Sequence, residues 1–292
     1  MNRLSTNFIP YDILPTVLRC TLGLVFILGG TKIGFPPDPQ ALAASYIDPQ
    51  TGWIHPVVAD FITIQLGMSI ASFLQIQGLI EILIGALLIL GIFTAPVALI
   101  MGFMFWSFAV ANPVLGEIRL SRDIALAGIC VALAIAGPGR WSLDVQLRKV
   151  KAWFEERRDI VLVIVRLSLA FTLIASTLVT VDPFVNPLNS TLPIFIVLGL
   201  GLLLAFGILP RWTAGAVMAW MLFVVINSLM AKGLIAGLEG TKRELGIMIG
   251  SFTYFMAGAD RWSPLTVYKM LLAQSDGRET QLPPAKGSVE TV

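Results

Sequence analysis

The sequence predicts an all-α membrane protein of eight transmembrane helices, arranged as two parallel four-helix units. Three observations lead there: composition, the number of long apolar stretches, and an internal repeat. Of 292 residues, 56% are hydrophobic and 13% are charged, and the mean hydropathy is +0.83. A soluble domain carries about 25% charged and about 45–50% apolar residues. This chain therefore has too little polar side chain to cover a water-facing surface of its size. The same composition excludes a disordered chain, a disulfide scaffold and a nucleic-acid binder. The net charge is only +2, and the 20 Lys and Arg are scattered, so no large basic face is implied.

A helix needs about 20 apolar residues to cross about 30 Å of hydrocarbon. Eight stretches are candidate spans, at 14–32, 73–92, 95–111, 123–138, 160–180, 192–209, 213–231 and 245–258, the short fourth and eighth being expected to extend into their polar flanks. They are continuously apolar rather than alternating, which excludes β-barrel strands. The first run lacks a small-residue cleavage site, so it is expected to remain as a span. The longest loop, 33–66, carries Asp38, Asp48, Trp53, His55 and Asp60. Short helices are expected in it near 40–46 and 57–70. The segment 140–159 places Leu143, Leu147, Val150 and Phe154 at helical spacing opposite Lys and Arg, the pattern of an amphipathic surface helix. The tail from 274 is polar, contains Pro, and reads as disordered.

The repeat has a constant offset of 121. Arg122-Asp123 matches Arg243-Glu244, Gly137 matches Gly258, and Arg140-Trp141-Ser142 matches Arg261-Trp262-Ser263. Upstream, Arg19 in LRCTLGLVF falls over Arg166 in VRLSLAFTL, Gly91-Ile92 over Gly207-Ile208, and Asn112 over Asn227. Each half then has four spans in the same order. Four is even, so the halves insert the same way up, about an axis along the membrane normal. The expected organisation is a first four-helix repeat at 1–139, a linker helix at 140–159, a second repeat at 160–273 and a tail at 274–292.

With the N-terminus inside, the inner segments hold 14 of the 20 Lys and Arg. The outer ones hold six: Lys32, Arg119, Arg122, Lys232, Lys242 and Arg243. The positive-inside bias places both termini in the cytoplasm and the 33–66 loop outside. Trp141, Trp212 and Trp262 suit an interfacial aromatic belt.

One His and two Cys cannot build a bis-histidine haem, a four-cysteine iron–sulfur cluster or a zinc site. No metal or haem site is expected in this chain. Redox chemistry would need a non-covalent group such as quinone, or a metal or flavin on a partner. Cys20 and Cys130 read as apolar packing residues.

The first half resembles the DoxX superfamily of four-span membrane proteins. The residues that carry this are LRCTLGLVFILGGTKIG (18–34), IEILIGALLILGIFTAPVAL (80–99) and AIAGPGRWSLD (134–144). Size, the Trp-containing outer loop and the cytoplasmic loop are most similar to the DoxD branch, the membrane subunit of a thiosulfate:quinone oxidoreductase. The likeness covers about 130 residues well and the second half more loosely. There, at an offset of 147, Gly23 becomes Ala170 and Lys32 becomes Val179; near the position of Glu81 the second half has only Val197, Leu198 and Gly199. The resemblance implies a membrane subunit passing electrons from an external sulfur compound to quinone, with an extracytoplasmic partner.

Glu81 stands mid-span in QIQGLIEILIGALLIL, one turn after Gln77 and one turn before Gly85. An ionised carboxylate at that depth costs about 2–4 kcal/mol, so it is neutral, paired or solvated. On the functional reading, Glu81 is the catalytic residue, and Gln77, Glu81 and Gly85 receive a flat quinone head group. The bland reading is an interhelical hydrogen bond. Arg122-Asp123 and Arg243-Glu244 read either as caps with local ion pairs or, with Lys32 and His55, as a site for a sulfur oxyanion. Arg19 and Arg166 are expected to bind lipid phosphate or a neighbouring loop. Two other functions fit the sequence: a non-catalytic accessory subunit of a larger membrane complex, and a carrier for a small anion or lipid.

Overall fold

The computed structural model describes residues 13–48, 54, 56–111, 120–148, 154–178, 191–258, 260, 262–264, 267–268 and 271. Among them the chain is helical, without a strand. The chain order is α1 (Ile13–Gly34), α2 (Pro39–Ile47), α3 (Pro56–Asp60) continued by a π-helical turn Phe61–Gln65, α4 (Ile70–Leu90), α5 (Thr94–Ala111), α6 (Leu120–Ala136), α7 (Leu143–Arg148), α8 (Phe154–Leu178), α9 (Thr191–Phe206), α10 (Pro210–Lys232), α11 (Leu234–Gly240) and α12 (Lys242–Ala257). All eight apolar stretches are helices. Four helical segments are long and apolar enough to cross a membrane: Ile13–Gly34, Ile70–Leu90, Glu156–Leu178 and Pro210–Lys232.

Local chemistry sets the boundaries. Asp38 caps α2 by accepting from the Gln40 and Ala41 amides, each at 3.0 Å, with Pro39 in the first turn. Ser69 caps α4, which stops at Gly91 in the left-handed region at φ 70°. The helix expected at 57–70 is split. Gly67, at φ 61°, ends it, and Ser69 starts the next one. Of the expected linker helix at 140–159, Leu143–Arg148 is helical, and the described chain from Phe154 onward is the helix α8. Nothing in FEERRDIVL breaks a helix, so the fifth apolar stretch extends back through its polar flank. Residues 149–153 and the tail at 274–292 lie outside the described residues.

The core is one large cluster drawn from α1, α4, α5, α6, α8, α9, α10 and α12, with Leu22, Met101, Ile129, Leu169, Val217 and Tyr254 fully enclosed. Packing partners correspond between the halves: α1 lies on α4 as α8 lies on α9, and α5 on α6 as α10 on α12. In addition α1 reaches α12, and α8 reaches α6. A second, smaller cluster joins Ala43 and Ile62 to Ile70, Ala71 and Leu74. It holds α2 and the Pro56–Gln65 helix as a cap over the start of α4.

The seam between α1 and α4 is made of glycines. A Cβ on Gly78 would strike the backbone of Gly30 and Gly34, and one on Gly23 would sit 2.6 Å from the Gly85 carbonyl oxygen. Small residues let helix backbones approach closely where lipid provides no hydrophobic drive. Gly199 in α9 has nothing within 4 Å of its Cβ position. Gly78→Ala is therefore expected to cost about 1–3 kcal/mol, because backbone cannot yield to an added methyl, whereas Gly199→Ala is neutral to slightly stabilising. Unfolding of the two purified variants in detergent checks this; equal stabilities would contradict the seam.

Candidate functional site

The charged residues that sequence reading singled out gather at the cap end, and their pairing crosses between the halves. Arg122 Nη1 lies 2.5 Å from Glu244 Oε1, and Arg243 Nε lies 2.8 Å from Asp123 Oδ1. Each Arg thus serves the acidic residue of the other half. Both carboxylates are buried, at 3% and 2% side-chain exposure. The helices bearing them run side by side in the same direction. Gly246 packs on Leu126, and Gly250 on Ile129 and Leu169, so heights advance together along α6 and α12. The small glycines on α12 allow that approach.

Glu81 lies beside this clasp. It is the twelfth residue of α4 and 7% exposed. Gln77 Nε2 donates to its Oε1 at 3.0 Å. Its other oxygen, Oε2, and the Lys242 ammonium both lie 2.9 Å from the position that a Cβ on Gly29 would take. Both charged tips therefore lie over the same bare stretch of α1 backbone, and any side chain at Gly29 would push them away. Lys242 is the first residue of α12, so Glu81 stands near the cap end of the bundle although it is central in its own helix.

Tyr46 of α2 roofs this region. Its phenol is pushed above the usual range by burial first, and then by the negative charge of Glu81. Lys32, in the last turn of α1, is exposed. His55 lies outside the described residues, as do Asn112 and Arg119. Gly85 stands in the α1–α4 seam, where Gly23 and Ile27 fill the space over it. The structure thus brings Gln77, Glu81, Arg122 and Arg243 into one region, leaves Lys32 at its edge, and encloses Gly85 between helices. Sequence reading missed Lys242. It entered only as one outer positive charge, and the signal that could have found it is its place directly before the repeated Arg-Glu pair.

At the far end the arginines are helix caps. Arg19 Nη1 donates to the Leu88 and Ile89 carbonyls at 2.8 and 2.6 Å, and its Nη2 to the Trp141 carbonyl at 3.0 Å. Arg166 Nη1 donates to the Leu204 and Ala205 carbonyls at 3.1 and 2.8 Å. Each thus satisfies the last orphan carbonyls of the second long helix of its half. Of these partners, Trp141 belongs to the loop between α6 and α7, as a loop partner was expected, and the other acceptors are helix-end carbonyls. Asp144 adds the matching N-terminal cap, accepting from the Phe93 and Thr94 amides that open α5 at 3.0 and 2.8 Å. Cys130 is buried in the core, and both cysteines are free thiols. Trp141, Trp212 and Trp262 are exposed. No grouping of three metal-ligating side chains occurs among the described residues.

Comparison with protein-family models, with curated proteins and with solved structures gives no match to this chain.

Proposed function

We propose that this chain is a multi-pass protein of the cell membrane and the membrane subunit of a respiratory oxidoreductase, resembling the DoxD branch of the DoxX superfamily. On this reading eight helices cross the bilayer as two parallel four-helix repeats, with both termini cytoplasmic. The reciprocal pairing of Arg122 with Glu244 and of Arg243 with Asp123 supports the parallel arrangement. An antiparallel pair of halves would put these matched dyads at opposite ends.

The observation that carries the function is the Glu81 carboxyl, buried, aligned by Gln77 and set against the Lys242 ammonium over Gly29. A quinone accepts two electrons and two protons when it becomes quinol. The donor set fits it. Lys242 would hold a carbonyl oxygen and offset negative charge developing there, and Glu81 would deliver a proton to that oxygen. Gln77 keeps the carboxyl in one orientation. Gly85 does not fit this role, because α1 already occupies the space over it. Electrons would come from an extracytoplasmic partner that oxidises a sulfur compound. Lys32, exposed at the end of α1, would attract its anion, since Arg122 and Arg243 are engaged by Glu244 and Asp123.

The test is Glu81→Gln in the assembled complex, with thiosulfate-dependent reduction of a short-chain quinone as the readout. Turnover is expected to fall about 10²-fold or more, with unchanged yield of folded protein. Wild-type turnover in the variant defeats the assignment. A second reading, a non-catalytic accessory subunit, is favoured by one observation: Arg19, Arg166, Asp144 and the crossed dyads are all engaged in holding helix ends or halves together. Co-purification with a larger respiratory or photosynthetic complex, without quinone-linked activity, would select it.

A further inference from the structure

The helix Pro56–Gln65 presents an apolar stripe on the side opposite its own core contact. Ile62 is 1% exposed and joins the cap cluster. On the other side Val57, Phe61 and Ile64, spaced by four and three residues, are 67%, 53% and 72% exposed. Leu66 follows at 47%, and Phe35, the first residue after α1, is 67% exposed. Within 56–69 the only charged residue is Asp60. No Lys or Arg lies along the stripe to meet an acidic partner.

Packing fixes where this stripe sits. Ile62 shares its cluster with Ile70, Ala71 and Leu74, the first two turns of α4. Only four residues separate Gln65 from Ile70, so the two helix ends lie within about 17 Å of each other. A helix of 21 residues is about 31 Å long, close to the hydrocarbon thickness. If α4 crosses the bilayer, its first turns lie where hydrocarbon gives way to head groups, and the Pro56–Gln65 helix lies at that depth beside them. An apolar face at that depth meets acyl chains before it meets a soluble protein.

We infer that the Pro56–Gln65 helix lies in the surface of the outer lipid leaflet, with Phe61 and Ile64 inserted among the acyl chains, rather than in an aqueous external loop. This rests on the membrane reading above. Its occupant is the lipid bilayer itself. The consequence for the site is mechanical: the same small cluster contains Tyr46, so anchoring Ile62's helix in lipid holds Tyr46 in place beside Glu81.

The test uses the full chain with Cys20 and Cys130 replaced by Ala, and single cysteines introduced by Phe61→Cys, Ile64→Cys, Asp60→Cys and Leu83→Cys. Each is labelled with an environment-sensitive fluorophore and reconstituted in phosphatidylcholine–phosphatidylglycerol vesicles, without spin-labelled lipid or with lipid spin-labelled either near the head or deep in the acyl chain, since Leu83 lies about 20 Å along α4. Leu83 is an exposed apolar residue on α4 and reports the membrane reading alone. Quenching by the shallow label at 61 and 64 is expected to match quenching by the deep label at 83, and to exceed shallow-label quenching at 60 about twofold. Strong quenching at 83 with aqueous iodide quenching at both 61 and 64 would overturn the lipid-seated helix and leave that face to a soluble partner. Absence of lipid quenching at 83 would overturn the membrane reading and this inference with it. Two stripe positions are used so that a folding defect in one does not decide the outcome.

Discussion

Replacing Asp260 by Ala is expected to remove about 3–5 kcal/mol of stability. Asp260 is a triple acceptor at the far end of the bundle: from Arg166 Nε at 2.8 Å, from the Tyr254 hydroxyl at 2.7 Å and from the Trp262 amide at 3.0 Å. The side chains of Arg166 and Asp260 are only 3% and 0% exposed. Breaking such a pair by deleting one partner leaves an uncompensated buried charge, which costs more than the pair itself contributes. Arg166 retains the Leu204 and Ala205 carbonyls, and these carry partial negative charge at a helix C-terminus. The expected loss is therefore large without being total. Tyr254→Phe deletes one hydrogen bond and nothing else, so about 1 kcal/mol is expected there. Unfolding of both variants in detergent micelles, followed by circular dichroism, checks the order. A loss below 1 kcal/mol for Asp260→Ala would show that the carboxylate is dispensable to Arg166.

That pair also shows what could be read from sequence and what could not. The eight helices were legible because apolar runs of this length leave little alternative. Arg19 and Arg166 were legible as corresponding positions, yet their partners were not. Carbonyls at the end of α4 or α9 have no signature in the residue letters. Asp260 occupies the place that Gly139 has in the first half, within GPGRWS and GADRWS. A carboxylate replacing glycine in an otherwise matched run was the available signal. Gly139, at φ 73°, packs tightly on Thr16 and Pro15, so the first half has no room for that carboxylate. Arg19 takes the Trp141 carbonyl in its place.

At the cap end the residue types were legible and the pairing between the halves was not. Each Arg stands next to an acidic residue in the chain, and adjacency suggested a local pair. On a helix, however, neighbours at i and i+1 point about 100° apart and do not face each other. The partner had to come from elsewhere, and the repeat put an identical problem on the adjacent helix. Glu81 was legible as an exceptional charge within an apolar run. The arrival of Lys242 over the same point of α1 was not, because it depends on Gly29 carrying no side chain and on α1 touching α12.

The crossed dyads yield the second large effect. Arg122→Ala leaves Glu244 buried without its 2.5 Å partner, and Arg243→Ala does the same to Asp123. Each is expected to cost about 2–5 kcal/mol. Charge inversion separates this from mere loss of packing. Arg122→Glu alone sets two carboxylates against each other, and Glu244→Arg alone sets two guanidiniums together. The double variant restores opposite charges across α6 and α12 and should recover at least 1.5 kcal/mol relative to the sum of the single losses. Arg122→Glu combined with Asp123→Arg, which swaps charges within one half, should show no such recovery, because it opposes like charges at both crossings. If the dyads were local caps, the within-half swap would be the tolerated one. The cycle therefore asks which residues belong together across the two halves of the chain, and it does so through stability alone, independent of any activity the Glu81 region supports.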